Sequence, residues 1–372
     1  MRFLSGFLIL AAAVALVAAS APQTARADVL YIGDAGDNLV KRFDVATGTL
    51  DAGFTTSGLL GPRGMVIDGD RLLVVNQNVN TKLAGEVLSY DAASGGSPSP
   101  IVAATDKDAP FVPRGIVLGP AGDDLFVGNF TTANGKSHGS LLRYDLDSGA
   151  LLSNDPVKGF KNHDFHPRGV VFGPDGLLYV ASPINLSTGL GGAVLRFNAD
   201  GSFVDAFVED AGGFGQLNRP EGLVFDPDGN LYVSSFRAAP GDVDGVRIYD
   251  ADGVLTGQID YWDGVTAPRA FAQALLFGPD GKLFVPMTNT GEVRAYDVTT
   301  GDYTSFIPAG GPDLIQPFYL TFGLTNPSTL AYGGMAAASA GGVAVPEPAA
   351  LVIALTAAMG VLAIVRRKGG NR

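Results

Sequence analysis

The stretch PRGVVFGPDGLLYV, residues 167–180, decides the fold, and it returns as PEGLVFDPDGNLYV at residues 220–233. In both copies, large apolar residues alternate along the segments that flank Pro-Asp-Gly. Proline presets φ and glycine supplies a positive φ, which a tight turn between two strands requires. The stretch therefore predicts a β-hairpin. Equivalent first strands are predicted to begin at Pro62, Pro113 and Ala272.

A second pattern follows each hairpin and predicts a third strand. A Val or Leu is followed by two variable residues, an aromatic residue, Asp or Asn, and a turn with glycine. The pattern occurs six times, and its aromatic residues are Phe43, Tyr90, Tyr144, Phe197, Tyr249 and Tyr296. Their spacing of 47 to 54 residues is typical of one four-stranded blade per repeat. The sequence thus predicts an all-β protein, a six-bladed β-propeller over residues 28–333.

The two ends of this region are predicted to share one blade. Val29 to Ile32 has the pattern of a second strand, and the missing first strand is found at Pro317 to Phe322. Strands from both ends would then close the ring. Thr329 to Tyr332 also has the pattern of a second strand, so it is either a surplus edge strand or the stub of a seventh blade, and a seven-bladed ring is the alternative.

Composition excludes several classes of function. The chain of 372 residues has no cysteine and a net charge of −12 at pH 7. Disulfide bonds, thiol catalysis and Cys-based metal sites are therefore excluded. An acidic surface repels the phosphates of DNA and RNA, so no nucleic acid partner is expected.

Residues 1–27 have the three parts of a secretory signal peptide. Arg2 precedes an apolar run from Phe3 to Ala19, and Ala25-Arg26-Ala27 supplies the small residues for cleavage before Asp28. This pattern predicts export, with the Sec machinery and signal peptidase as partners.

The C-terminal region has the pattern of a membrane anchor. A flexible spacer is predicted at residues 334–345, and seventeen uncharged residues at 349–365 are predicted to form a transmembrane helix. At about 1.5 Å per residue this helix would be about 26 Å long, which is enough for a thin bilayer. The flanking residues are Pro346, Glu347 and Pro348 before the helix and Arg366, Arg367 and Lys368 after it.

Residues 346–372 resemble the PEP-CTERM sorting signal, which is also known as the ice-binding protein C-terminal domain. The resemblance implies an exosortase as a partner and cleavage near the Pro-Glu-Pro motif. It implies transient anchoring in the inner membrane, followed by a location in the outer envelope or the extracellular matrix. The alternative is an ordinary C-terminal anchor.

The hairpin stretches resemble the NHL repeat and the related SMP-30/gluconolactonase-like propellers, which bind ligands at the mouth of the central channel. Two positions of the repeat are predicted to lie there. The first follows the leading residue of each repeat, usually proline, and comprises Arg63, Arg114, Arg168, Glu221, Gln273 and Phe318. The second ends the second strand and comprises Asp34, Gln77, Asn129, Ser182, Ser235 and Met287.

Three arginines on successive blades favour an anion site, because guanidinium groups bind carboxylates and phosphates bidentately. The alternative is that each arginine packs over its own blade and pairs with an aspartate of a loop. No catalytic residue is assigned. The sequence therefore predicts a non-catalytic binding or matrix protein at the cell envelope or in exopolysaccharide, with no cofactor and with a glycan, an ion or another envelope component as ligand.

The gluconolactonase-like resemblance implies an alternative function, a metal-dependent lactonase or lyase. In that family a Glu, an Asn and an Asp hold a divalent cation in the channel. Glu221, Asn129 and Asp34 would supply the corresponding Ca²⁺ or Mg²⁺ site here. Shared coordination requires these side chains to lie within about 5 Å of a common point.

Overall fold

The computed structural model describes residues 28–133, 136–155, 165–185, 190–237, 241–261 and 269–333. These residues form an all-β protein in which six sheets are the blades of a propeller. Within these ranges no helix has the length and apolar character needed to cross a membrane. The predicted signal peptide (1–27), spacer (334–345) and sorting signal (346–372), with its helix at 349–365, lie outside the described residues.

The strands of each blade are adjacent in sequence, except in blade 1. Blade 1 begins with β1 Val29–Asp34 and β2 Leu39–Asp44. The sheet of blade 2 contains β3 Thr55–Thr56, β4 Pro62–Asp68, β5 Arg71–Asn76, β6 Glu86–Asp91 and β7 Gly95–Val102. Blade 3 contains β8 Val112–Leu118, β9 Asp124–Ala133, β10 Lys136–Asp145 and β11 Leu151–Asp155.

The second half of the ring follows the same order. Blade 4 contains β12 Val170–Phe172, β13 Leu178–Asn185, β14 Leu190–Phe197 and β15 Phe203–Asp210. Blade 5 contains β16 Leu223–Phe225, β17 Leu231–Ser235, β18 Gly245–Tyr249 and β19 Leu255–Asp260. Blade 6 contains β20 Leu276–Phe277, β21 Leu283–Met287, β22 Glu292–Tyr296 and β23 Tyr303–Ile307, and β24 Pro317–Phe322 completes blade 1.

The ring closes as the sequence predicts. Strand β24 pairs antiparallel with β1, so that Leu30 lies opposite Phe322 and Ile32 lies opposite Leu320. Strand β2 pairs with the other side of β1. Because strands from both ends of the described region form this blade, their pairing joins blade 6 to blade 2 and closes the propeller.

Blades 1 and 2 depart from the four strands predicted for each. Blade 1 has three strands, and the chain beyond β2 adds only a single bridge between Phe43 and Leu50. The guanidinium of Arg42 binds Asp51 and donates to the carbonyl of Ala92 in the next blade. The chain passes to that blade, where β3 pairs in parallel with β7 as a fifth strand.

The residues of the third-strand pattern have structural roles. The six aromatic side chains are at most 3% exposed and form the cores of their blades. In five of the six copies an aspartate follows and caps the next turn: for example, Asp44 accepts the N–H of Thr47 at 2.8 Å, and Asp145 accepts that of Ser148 at 2.7 Å. Such Asx turns favour a tight reversal into the fourth strand. The repeat is therefore a packing residue followed by a turn signal.

The alternative of a seventh blade is wrong. Residues 329–332 are not a strand, and the nearest pairing is an isolated bridge between Thr325 and Tyr332. Leu330 has a positive φ of 54° and packs against the cores of several blades. The segment follows β24 and lies across the end of the central channel, so its apolar residues cover the channel instead of starting another sheet.

Backbone hydrogen bonds hold this covering segment in place. The carbonyl of Pro327 accepts the N–H of Leu118 in blade 3, and that of Ser328 accepts the N–H of Phe172 in blade 4, both at 3.0 Å. These donors are the last residues of the innermost strands β8 and β12. The covered end is therefore the end at which the innermost strands finish, and the open mouth is where they begin.

Candidate ligand site at the channel mouth

A Pro-X-Gly motif builds the channel wall at the start of the first strands. The glycine N–H of one blade donates to the carbonyl of X in the next: Gly115 to Arg168 at 2.9 Å, and Gly169 to Glu221 at 2.7 Å. A Cβ on the glycine would lie 2.5–2.6 Å from that oxygen, as calculated for Gly64, Gly115, Gly169 and Gly222. Glycine is required for this close approach of the blades, and side chain X is left at the mouth.

The charged X residues come together at this mouth. Arg63, Arg168, Glu221 and Gln273 are between 5% and 9% exposed, and Arg114 is half-buried. The Nε of Arg168 lies 3.7 Å from an Oε of Glu221. This arrangement matches the expected position of the three arginines with Glu221 nearby. It differs from the alternative in which each arginine pairs with a loop aspartate.

Burial and neighbouring positive charges at the mouth disfavour the charged forms of Arg63 and Arg168. Burial and then the charge of Arg114 lower the pKa of Arg63 to about 10, and Glu221 offsets part of this effect. Burial also lowers the pKa of Arg168, again with Glu221 acting in the opposite direction. Arg219 also acts against the charge of Arg168. Among the described residues, the carboxylate of Glu221 alone does not balance these guanidinium groups, so together they carry net positive charge.

Several buried polar atoms at the mouth have no hydrogen-bond partner among the described residues. They are Nε of Arg63, Nε of Arg114, Nε and Nη1 of Arg168, Oε2 of Glu221, Oε1 of Gln273 and the hydroxyl of Tyr319. Most buried polar side-chain atoms in folded proteins are hydrogen-bonded to protein or ordered water. Ordered water or a bound ligand is the usual partner of such atoms, so this group of residues is the candidate site.

Aromatic rings orient two of the arginines. The guanidinium of Arg63 lies 4.3 Å from the ring centre of Phe318, and that of Arg168 lies 5.3 Å from that of Phe130. Cation–π contacts of this kind contribute about 0.5–2 kcal/mol each. These contacts orient the guanidinium groups. Nη1 of Arg63 donates to the carbonyl of Pro62, whereas its Nε and the Nε and Nη1 of Arg168 have no hydrogen-bond partner among the described residues.

Tyr319 is a site residue that the sequence analysis missed. It occupies the glycine position of the motif in blade 1, where the sequence reads Pro317-Phe318-Tyr319. Its side chain is 6% exposed, and its hydroxyl has no partner in the described part of the chain. Burial, and secondarily the charge of Glu221, raise the pKa of Tyr319 to about 12, so the phenol stays protonated at neutral pH. The signal in the sequence is a large residue where four other repeats have glycine.

The channel below Tyr319 is narrow and apolar. A cavity of about 40 Å³ lies among the motif glycines, Met65, Ile116 and Leu320, and Leu330 lies at its far end. Tyr319 lines the same cavity from the mouth side. A ligand at the mouth therefore has no polar route through the propeller.

The second predicted ring position has a structural role in most blades. In blades 3, 4 and 5 the side chain at this position accepts a backbone N–H from the segment that precedes the first strand of the same blade. Asn129 accepts from Phe111 at 2.7 Å, and Ser182 from His166 and Ser235 from Asn218 at 3.0 and 2.9 Å. These bonds fasten the entry loops to the blades.

In two blades the prediction for this ring position needs correction. In blade 2 the acceptor is Asn76, which binds the N–H of Leu60 at 2.8 Å. Gln77, one residue later, instead donates to the carbonyl of Pro113 in blade 3 at 2.9 Å. In blade 6 the position is an apolar Met287, which is fully buried in the core. The ring is therefore not a set of polar groups that face one ligand.

Asp34 is the most fully used residue of this ring. Its carboxylate accepts N–H groups from Gly36, Ile315 and Gln316 and binds Lys41, all at 2.8–2.9 Å. Burial acts to raise the pKa of Asp34, but the hydrogen bonds from Ile315 and Lys41 hold it below its usual value. Asp34 thus connects β1 with the segment that precedes β24, at the point where the ring closes.

The residues proposed for a metal site do not fit a divalent cation. Asp34 and Asn129 use their oxygens to bind backbone N–H groups of their own blades. Glu221 lies beside Arg168, where a cation would face three guanidinium groups. In the part of the chain that the structure describes, no three His, Cys, Asp or Glu side chains are grouped to hold a metal. The structure brings Glu221 to the arginines and leaves the other two residues in structural roles.

The chain matches no protein-family model and no curated protein. Solved structures share its fold. A chain of the nidogen/laminin complex has a TM-score of 0.56 and 15% identity, over 80% of this chain and 98% of that chain. A candidate 6-phosphogluconolactonase from Bacteroides fragilis has a TM-score of 0.52 and 18% identity, over 81% and 99%. Hydrazine synthase from Kuenenia stuttgartiensis has a TM-score of 0.50 and 17% identity, over 72% of each chain.

These low identities establish the fold and nothing further about activity. The protein is a six-bladed β-propeller. Its distinguishing feature is a channel mouth that carries three arginines and one glutamate.

Proposed function

We propose that this protein is a non-catalytic binding protein that holds a small anion at the mouth of its propeller channel. The supporting observation is the group of buried guanidinium nitrogens of Arg63, Arg114 and Arg168 that lack a hydrogen-bond partner among the described residues. A buried donor left unpaired costs about 1–3 kcal/mol, and more when it is charged. An anion is the one ligand that supplies both the acceptors and the charge.

The alternative function, a metal-dependent lactonase or lyase, has less support. It requires Glu221, Asn129 and Asp34 to coordinate one cation, and Asp34 already binds three backbone N–H groups and a lysine. A lyase or hydrolase also needs a base aimed at its substrate. Among the described residues of the mouth, the carboxylate that could serve is Glu221, and it lies 3.7 Å from Nε of Arg168.

Calorimetric titration of the purified full chain with phosphate, sulfate and acetate measures anion binding directly. Arg168→Met removes two of the partnerless donors, and we expect the dissociation constant of the tightest anion to rise about 10- to 150-fold, the equivalent of one charge-assisted hydrogen bond. The matched control is Arg196→Met in the same blade, whose guanidinium binds Asp205 at 2.6–2.7 Å on the outer strand. Equal losses in both variants, or no saturable binding by the wild type, would refute the proposal.

We further propose that the protein is exported and acts at the envelope or in exopolysaccharide. The support is the signal-peptide pattern of residues 1–27 and the Pro346-Glu347-Pro348 tail. An exosortase is the proposed partner of that tail. Mass spectrometry of the mature protein, from a host with an exosortase, should find a C-terminus near Pro346 to Pro348 and no peptide with Arg366. Retention of the 349–365 helix in that host would mean that the tail is only an anchor.

A further inference from the structure

Glu221 distinguishes this mouth from a simple cluster of cations. Its carboxylate is 5% exposed, and its Oε2 has no hydrogen-bond partner among the described residues. An ionised carboxylate only accepts hydrogen bonds. The amide oxygen of Gln273 is a second buried acceptor without a partner there. A ligand that satisfies the whole site must therefore donate at least one hydrogen bond as well as accept several.

The balance of charge sets the second requirement. Arg114, Arg168 and Glu221 act electrostatically on Arg63, and Arg219 also acts on Arg168. These described groups carry an excess of positive charge, which a doubly charged anion offsets better than a singly charged one. The ligand must also be small, because the phenol of Tyr319 and the apolar cavity of about 40 Å³ close the channel below the mouth.

We propose, on the basis of the anion-binding function above, that the channel mouth selects monohydrogen phosphate over sulfate through the carboxylate of Glu221. Monohydrogen phosphate carries two negative charges, and it has three oxygens for the arginines and one P–OH group that donates to Oε2 of Glu221. Arginine suits this role because its planar group binds oxyanions bidentately. Tyr319 adds a hydroxyl donor at the base of the site.

Sulfate is the informative competitor because it has the same shape and charge and no proton. In its complex, the buried Oε2 of Glu221 would face another negative oxygen without a hydrogen bond. Sites built to pair with a hydroxyl reject an analogue without it because a buried polar group is left unpaired. A phosphate monoester above its second pKa of about 6 also lacks the P–OH group, so Glu221 rejects it for the same reason.

The test is calorimetric titration of the full chain at pH 8 with inorganic phosphate, sulfate and glycerol phosphate. We expect phosphate to bind at least about 100-fold more tightly than either competitor. Glu221→Gln keeps the size of the side chain but removes its charge and adds an N–H donor. It should increase the affinity for sulfate and reduce the preference for phosphate to less than about 10-fold.

A gain in sulfate affinity is an outcome that misfolding of the variant cannot produce. Asp205→Asn is the matched control, since it removes one negative charge from the outer strand β15 and should leave the preference unchanged. Equal binding of phosphate and sulfate by the wild type would overturn this selection and leave the anion site standing. Tight binding of glycerol phosphate at pH 8 would overturn it too, because the P–OH group would not be what is recognised. If no anion binds, the proposed function itself fails.

Discussion

Replacing Arg63 with methionine should stabilise the anion-free protein and weaken anion binding at the same time. Burial lowers the pKa of Arg63 to about 10, well below the ordinary value of an arginine. Each pKa unit corresponds to about 1.4 kcal/mol, so the charged form is disfavoured in the folded protein by about 3 kcal/mol. Methionine fills a similar volume and has no charge. Replacement of a buried ion by an apolar side chain is often stabilising by about 1–4 kcal/mol.

The variant also loses two contacts of the guanidinium group, and this loss reduces the expected gain in the free energy of unfolding. The guanidinium of Arg63 lies 4.3 Å from the ring centre of Phe318, and its Nη1 donates to the carbonyl of Pro62 at 2.8 Å. A cation–π contact contributes about 0.5–2 kcal/mol, and the hydrogen bond about 1 kcal/mol. We therefore expect the free energy of unfolding to rise by about 1 kcal/mol.

The direction of the pKa shift of Arg63 determines how its effect on the free energy of unfolding changes with pH. Because the folded protein holds the proton of Arg63 less tightly than the unfolded chain, the destabilisation is fully present below about pH 10 and disappears as the pH rises further toward the ordinary pKa of an arginine. Urea unfolding at pH 7.5 in an anion-poor buffer therefore measures the whole effect.

The matched control for this measurement is Arg71→Met in the same blade. Its side chain is 41% exposed and pairs with Asp68, so its loss should change the free energy of unfolding by at most about 1 kcal/mol, toward lower stability. Saturating anion adds about 2.7 kcal/mol to the wild type at 100 times the dissociation constant, and Arg63→Met should lose much of that increment. A variant that is destabilised by more than about 1 kcal/mol without anion would refute the electrostatic argument.

Three further predictions concern ring closure, blade contact and pH. Asp34→Asn should reduce the free energy of unfolding by about 3–5 kcal/mol in urea unfolding, because a buried lysine and a backbone N–H lose their acceptor. Asp37→Asn, which affects the same lysine from the surface, should cost at most about 1 kcal/mol, and equal losses would contradict the closure role of Asp34. Gly169→Ala should cost about 1–3 kcal/mol in the same assay, because its Cβ would lie 2.5 Å from a carbonyl of the next blade. Gly257→Ala, with 3.4 Å to its nearest neighbour, should be neutral or stabilising, and a similar cost at both positions would contradict the contact argument. Anion affinity measured by titration calorimetry should fall as the pH rises through about 10, where Arg63 loses its proton, and an affinity that stays constant to pH 11 would exclude that residue from the site.

The fold could be predicted because its signals are local and repeated. Alternation along the strands, the Pro-Asp-Gly turns and a buried aromatic residue per blade each depend on neighbours within one repeat. Closure by β24 followed from counting which strand of which repeat was missing. The covering segment at 324–333 was less accessible to this reasoning, because an apolar residue such as Leu330 fits a strand or a channel plug equally well in sequence.

The site could be predicted in part, and the limit lies in the hydrogen bonds. Equivalent positions of a repeat meet at the channel axis, so Arg63, Arg114, Arg168 and Glu221 could be grouped from sequence alone. The partners of Asp34 could not, since it binds backbone N–H groups 281 and 282 positions away in the chain. These bonds appear only when the ring closes, and they remove Asp34 from the set of available metal ligands.

The chain itself contains evidence that the arginines are not needed to build the ring. Blades 3 and 4, and blades 4 and 5, are joined by a bond from the glycine N–H to the backbone carbonyl of position X, and that bond is independent of the side chain at X. In blade 6 and blade 1 the same position is filled by uncharged Gln273 and Phe318, and the ring closes there as well. Arg63 and Arg168 are buried, and burial and neighbouring positive charges disfavour their charged forms, so they are not the most stable choice at these positions. Proteins depart from the most stable choice chiefly where a site requires it. The charge at this mouth therefore supports the proposal that it binds an anion.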